Sequence, residues 1–347
     1  MSAPVRSDGE PPGVPRAGSP ARARVPSRWL AFALGVGIAA TPGVAAPPAA
    51  PAPGAAPAFQ ARLASKAPLF GLARAGARLV AVGDWGTIVL SDDNGKTWRQ
   101  ARSVATRAML TAVTFVDARR GFAVGHGGTV LATGDGGETW TRNHDAGRDV
   151  ALLTVWFAGP EFGIAAGAFG FALTTRDGGK TWREFAPGRG DDGDRHLNAV
   201  FGIAGGPVFI AAESGTVFRS VDAATTWSMQ RVPYDGSLWG GLVLKDGGVL
   251  VYGMRGHVLR SADLGRSWTD VPTGTDKSWS GGLELPDGTI VLVGLDGAVA
   301  TSTDGGRTFR ATTRRERQTL AAAVAGAPGQ LVVAGMAGVG TYALAAP

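Results

Sequence analysis

From Leu69 to Leu344 the apolar residues fall in short runs of about five to seven, each closed by glycine or another turn-former. Runs that short, bounded by turns, are buried strands; helices need ten residues or more. The runs recur in sets. Each set opens with a strand whose first large apolar residue is Leu69, Leu110, Leu153, Leu197, Leu238, Trp279 or Leu320. Two positions on stands Gly71, Ala112, Val155, Ala199, Gly240, Gly281 or Ala322, mostly small, as suits strands converging on a common axis. A second and a third strand follow, joined by a four-residue turn. These turns are Gly83–Gly86, Gly125–Gly128, Gly167–Gly170, Ala212–Gly215, Gly253–Gly256, Gly294–Gly297 and Gly335–Gly338.

A polar motif, S/T-x-D-x-G-x-T/S-W/F, comes next in six of the sets. Its aspartates are Asp93, Asp135, Asp177, Asp222, Asp263 and Asp304, spaced 42, 42, 45, 41 and 41 residues apart. The fourth copy carries Ala224 where the others have Gly, and the fifth has Ser267 for Thr. A period of this length holding four strands is one blade of a β-propeller. Seven opening strands predict an all-β, seven-bladed propeller over 58–347, with the motif at the hairpin between the third and fourth strands. The seventh set runs out of chain after three strands. Unpaired edges are a liability, so residues 58–64 are expected to supply its fourth strand and close the ring.

Composition agrees with many turns: 54 Gly and 21 Pro in 347 residues, with no Cys. Absent cysteines exclude disulfides, thiolate metal sites and cysteine nucleophiles. Residues 1–46 read as a signal-peptide region. Arg22, Arg24 and Arg28 precede the apolar run Trp29–Ala40, and small residues follow to Ala46. The run is too short to span a bilayer, although an uncleaved N-terminal anchor is the alternative. Residues 47–57 form a Pro/Ala-rich linker. Export to the periplasm or the exterior is the expected localisation. The first 46 residues carry five Arg and two acids, half of the formal +6, so the mature part is only mildly basic. No nucleic-acid partner and no spanning segment in the mature domain are expected.

The repeated motif resembles the Asp-box of BNR-type repeats, found in sialidases, sortilin-type receptors, xyloglucanases and the photosystem II stability/assembly factor family. Seven blades, an export signal and the G-x-x-G turn before each Asp-box make the chain most similar to the assembly-factor family. That resemblance implies a non-enzymatic monomeric propeller with no cofactor, which binds a protein and assists assembly of a membrane complex. The alternative is a glycan-binding or glycoside-hydrolysing propeller of the same repeat class. The six Asp-box aspartates are structural, one per blade and too far apart to cooperate. A sialidase would need an R-I-P signature near its first strand; the nearest triplet, Arg231-Val232-Pro233, follows the fourth Asp-box. Tyr252 and Tyr342 fall on strands, and only Tyr234 lies in a loop. A two-carboxylate hydrolase could draw on Asp84, Glu213 and Asp296, at corresponding turns. His126, His144, His196 and His257 have no metal-ligand spacing, and no metal is expected. Asp191, Asp192 and Asp194 read as a solvated loop cluster.

In a propeller the turns between second and third strands share a face with the connections between blades, opposite the Asp-boxes. Partner-binding candidates on that face are Trp85, His126, Phe169, Glu213, Arg255 and Asp296 from the turns, with Arg195 and Arg315 from the connections. Trp239, on an opening strand, is expected near the channel. Exposed aromatic and Arg residues are what protein-binding surfaces use.

Overall fold

The computed structural model describes residues 56–344. The signal-type region at 1–46 and most of the linker lie outside the described residues. Seven sheets follow one another along the chain, each built on an antiparallel meander, and the second gains one further strand that pairs in parallel with its outer edge. Five have four strands, the second has five and the seventh three. The innermost strands are Leu69–Ala75, Leu110–Phe115, Leu152–Phe157, Leu197–Gly202, Leu238–Val243, Trp279–Glu284 and Leu320–Ala325. Each touches the next in order, and the last touches the first, so the sheets form a closed ring of seven blades. Among the described residues there is no α-helix, and no helix is long and apolar enough to cross a membrane.

The second strand of every blade is buried over nearly its whole length, as in Leu79–Gly83 and Ile290–Gly294. Both its faces meet apolar neighbours, which is why these runs read as continuous rather than alternating. Core clusters therefore sit between blades. One joins Val80, Val82 and Leu90 of blade one to Leu110, Leu131 and Trp140 of blade two.

Every innermost strand carries a β-bulge at the same place, immediately after its first residue. The extra residue is Phe70, Thr111, Leu153, Asn198, Trp239, Ser280 or Ala321. Bulges re-aim a side chain out of the pleat. In blade three the bulge also corrects the expected register. Leu152, not Leu153, is the fully buried equivalent of Leu69 and Leu110. Two adjacent leucines left that choice undetermined by pattern, and Thr154, not Val155, takes the small position.

The ring is not closed by the expected strand. Gly338–Ala343 is the outermost strand of blade seven, and residues 58–64 do not pair with it. Their polar groups are satisfied elsewhere. The Ala58 N–H donates to the Val104 carbonyl (2.9 Å), and the Ala61 N–H donates to the Gln100 side-chain oxygen (2.8 Å). Gln100 Nε2 donates in turn to the Phe59 carbonyl (2.6 Å). The segment thus lines the blade-one rim beside Ser103–Val104, which itself adds in parallel to the outer strand of blade two. Closure is by packing: Ala64 and Leu69 join Ala334 and Val339 in one buried cluster across the seam.

Candidate functional site

The two turn systems lie where the repeat places them. In the Asp-box of blade one, Ser91 Oγ donates to Asp93 Oδ1 (2.8 Å) and accepts the Gly95 N–H (2.8 Å). The Thr97 N–H and hydroxyl both donate to the same carboxylate (2.9 and 2.6 Å). Asp135, Asp177, Asp222, Asp263 and Asp304 repeat the pattern. The Thr97 hydroxyl, then the Thr97 N–H, pulls the Asp93 carboxyl down to about 2. Thr181 and Thr226 do the same for Asp177 and Asp222, each to about 2. Each carboxylate is spent on its own hairpin. Both residues after each aspartate, taken with the blade-four pair Ala223 and Ala224, have positive φ.

Asp92 is not a free turn acid. Arg78 (2.6 Å) and Arg99 (3.0 Å) bridge it, and both arginines also reach Glu138 of blade two. Arg99, above all, holds the Glu138 carboxyl below its ordinary value.

On the opposite face, the last glycine of each G-x-x-G turn is pressed against the connection to the next blade. The Gly170 N–H donates to the Arg195 carbonyl (2.8 Å), and the Gly215 N–H to the Gly236 carbonyl (2.7 Å). The residue just before that glycine adopts left-handed backbone: Trp85 (φ 53°), Gly127 (63°), Phe169 (55°), Ser214 (52°), Arg255 (54°) and Asp296 (54°). This conformation aims its side chain outward. Trp85 is 65% exposed and Phe169 71% exposed. His126 and Glu213 stand one position earlier, so the tips of blades two and four are Gly127 and Ser214. The four-residue spacing alone could not tell the two central positions apart.

The candidates do not form one cluster. Phe169, His196 and Glu213 come together across blades three and four. The Phe169 ring meets His196 edge-on at 4.9 Å, and the His196 N–H donates to Glu213 Oε2 (3.0 Å). Asp296 pairs with Lys277 (2.9 Å), which keeps that ammonium protonated to higher pH. Arg195 is bound to Asp192 (2.6 Å), and Arg231 reaches the same carboxylate (3.4 Å). Arg195 is therefore a strut of its loop rather than a free cation. Arg255 and Arg315 are exposed, and neither side chain forms an ion pair with a carboxylate among the described residues, although the Arg255 charge reaches the Tyr234 phenol. Trp239 is the half-buried bulge residue of blade five.

Asp84, Glu213 and Asp296 each have a local duty, on blades one, four and six. Asp84 caps the Trp85 N–H (2.9 Å), while Glu213 and Asp296 hold the contacts above. Tyr252 is buried, and burial raises its phenol well above the ordinary range. Tyr234 lies flat on His257 (3.9 Å between centroids) and donates to the Met254 carbonyl (3.1 Å). His144 lies within a strand, Thr139–Asp145. Among the described residues no three or more His, Asp or Glu side chains gather where they could hold a metal ion.

The seven bulges were not anticipated. Their polar members bridge blades: the Thr111 hydroxyl donates to the Leu152 carbonyl (2.8 Å), Asn198 Nδ2 to the Leu238 carbonyl (2.8 Å) and Ser280 to the Leu320 carbonyl (2.5 Å). The signal was present in the sequence as a polar residue after the opening apolar residue of alternate blades.

Fold and site together define a seven-bladed Asp-box propeller with aromatic tips on the face away from its Asp-boxes. Residues 102–240 match the family described as photosynthesis system II assembly factor YCF48. The chain is a seven-bladed β-propeller, and that stretch of it is similar to the assembly-factor family. It resembles the solved structure of YCF48 bound to a D1 peptide (18% identity, 81% of this chain and 94% of that chain covered, TM-score 0.65). YCF48 from Cyanidioschyzon merolae is similar too (16%, 80% and 96%, TM-score 0.64). So is a streptogramin B lyase (12%, 80% and 93%, TM-score 0.66). At these identities the solved structures speak for the fold alone. No curated protein matches the sequence.

Proposed function

We propose that this chain is an exported, non-enzymatic propeller that binds an extended segment of a protein partner and serves as an assembly factor or scaffold for a membrane complex. One observation carries the reading. Trp85 and Phe169 are held out into solvent on left-handed backbone, where a bulky residue costs about 1–2 kcal/mol. Stability spent on presenting an exposed aromatic points to a contact it serves. The unpaired Arg255 and Arg315 on the same face suit an acidic group on the partner. The similarity to a YCF48 that was solved with a D1 peptide supports a peptide ligand. Export rests on the order of Arg, apolar and small residues over 22–46.

The test is co-purification from the native host with two double variants, Trp85→Ala with Phe169→Ala, and Arg255→Glu with Arg315→Glu. Each should lose the partner that the parent retains while folding normally. Partner recovery equal to the parent in both would refute the reading.

A further inference from the structure

The Asp-box hairpins cover more than their own blades. Gly137 of blade two lies against Leu90 of blade one, Gly179 of blade three against Phe122 of blade two, and Gly306 of blade six against Leu250 of blade five. Gly95 of blade one lies in the same way on Val332 of blade seven. The aromatic that ends each box follows. Trp98, Trp140, Trp182, Trp227, Trp268 and Phe309 each pack into the cluster between their own blade and the one before. Six of the seven interfaces are sealed in this way.

The seventh is not. Blade seven has no Asp-box, so nothing of that kind covers blade six, and the only aromatic packed in the cluster between them, among the described residues, is Tyr342 of the third strand, with no Trp or Phe from an outer strand. A cavity of about 610 Å³ opens there, lined among others by Leu285, Thr301, Ala325, Pro328, Gln330 and Leu344. Beside it runs the outer edge of Gly338–Ala343. Ser65 covers Gly338, but a Cβ at Gly340 would meet nothing within 4 Å. The Leu344 N–H points inward to the Gly329 carbonyl (2.9 Å). Antiparallel alternation then turns the main-chain groups of Thr341 and Ala343 outward, ready to pair.

We propose that this trench is a second docking site, for an extended segment of a partner protein that adds as the fourth strand of blade seven and places one aromatic side chain in the cavity. The molecule supplies the argument six times over: each equivalent slot is filled by an outer strand led by Trp or Phe. Strand addition to an open edge is a general mode of peptide capture. The stretch 47–57 that leads into the ring is a poor occupant: it contains no aromatic and holds five prolines, which cannot donate to a ladder. The site is on blade seven, away from Trp85 and Phe169, and does not depend on the function proposed above.

The probe is a fluorescent synthetic peptide with the sequence of residues 302–313, the Asp-box and outer strand of blade six. Binding to the full chain is followed by anisotropy. A Kd in the micromolar range is expected. It should weaken at least about tenfold when the peptide carries Phe309→Ala, and also when the protein carries Ala325→Phe, which plugs the cavity, or Thr341→Pro, which removes an outward N–H. Two protein variants guard against one that fails to fold. No binding up to about 1 mM peptide, or equal binding by all variants, would overturn the proposal. So would binding seen only after residues 1–55 are removed, because the chain's own N-terminus would then be the occupant. Release of a dimer by the peptide would likewise overturn it in favour of a second copy.

Discussion

Gly294 shows what the first glycine of each G-x-x-G turn is for. Its backbone is extended (φ −163°), so left-handed strain plays no part. A Cβ there would lie 3.0 Å from the Ser278 carbonyl carbon and 3.2 Å from the Trp279 Cα, and would overlap the Ser278 oxygen. All three are main-chain atoms and cannot rotate away. The same oxygen accepts the Leu295 N–H (3.0 Å), so the substitution Gly294→Ala strains a contact and loosens a hydrogen bond together. Overpacking costs about 1–3 kcal/mol and a weakened hydrogen bond about 0.5–1.5. Restricting the unfolded chain returns about 0.4–1 kcal/mol. The net is a loss of about 2 kcal/mol, or roughly 4–8 °C in Tm. Blade four supplies an internal control. Ala212 occupies this position, fully buried, and the corresponding bond from Glu213 to the His196 carbonyl is 3.3 Å, against 2.9–3.1 Å in the other blades. The ring therefore yields by a few tenths of an ångström and does not break. Urea and thermal unfolding of Gly294→Ala check the figure. A loss below about 0.5 kcal/mol would refute close approach as the reason for glycine here.

Acid should act through the Asp-boxes. Asp93, Asp177 and Asp222 sit at about 2 when folded, against about 3.9 in an unfolded chain. A depressed carboxylate contributes stability that is fully present above about pH 4 and is lost as pH falls toward 2. Tm measured between pH 5 and pH 2 should fall steeply in that window. Asp93→Asn should lower Tm at pH 7 and flatten the acid slope, and an unchanged slope would exclude this origin. The box tryptophans should differ among themselves. Trp140 Nε1 donates to the Gly137 carbonyl (2.9 Å), whereas the buried Trp268 Nε1 has no partner. Trp140→Phe should cost about 1–3 kcal/mol more than Trp268→Phe, and equal losses in unfolding experiments would refute that reading.

The architecture was legible because each blade repeats two turns whose chemistry is local. An aspartate four residues before a Thr hydroxyl closes the same hairpin wherever it occurs. Glycines at fixed offsets mark where strands and connections crowd. Ring closure was not legible. Counting strands made residues 58–64 the missing fourth, yet the reciprocal bonds of Gln60 and Gln100 hold them on blade one. Such long-range pairing of side chain with main chain leaves no periodic trace. The candidate face was legible as a set of turns, while the tips of blades two and four were placed one residue early. Arg195 looked free because its carboxylate partner, Asp192, lay in a loop with no regular spacing.

The bulge residues carry one more implication. Around the axis they alternate: apolar Phe70, polar Thr111, apolar Leu153, polar Asn198, apolar Trp239, polar Ser280, then apolar Ala321. Each polar member ties its blade to the next. An odd number cannot alternate all the way round a circle. Parity therefore forces one like pair, and it falls between Ala321 and Phe70, at the junction of the last blade with the first. That junction alone has apolar bulge residues on both sides, and the Arg74 guanidinium, donating to the Ala325 carbonyl, bridges it instead, so loss of that one side chain is expected to let the circle part there first when the protein is pulled, heated or threaded.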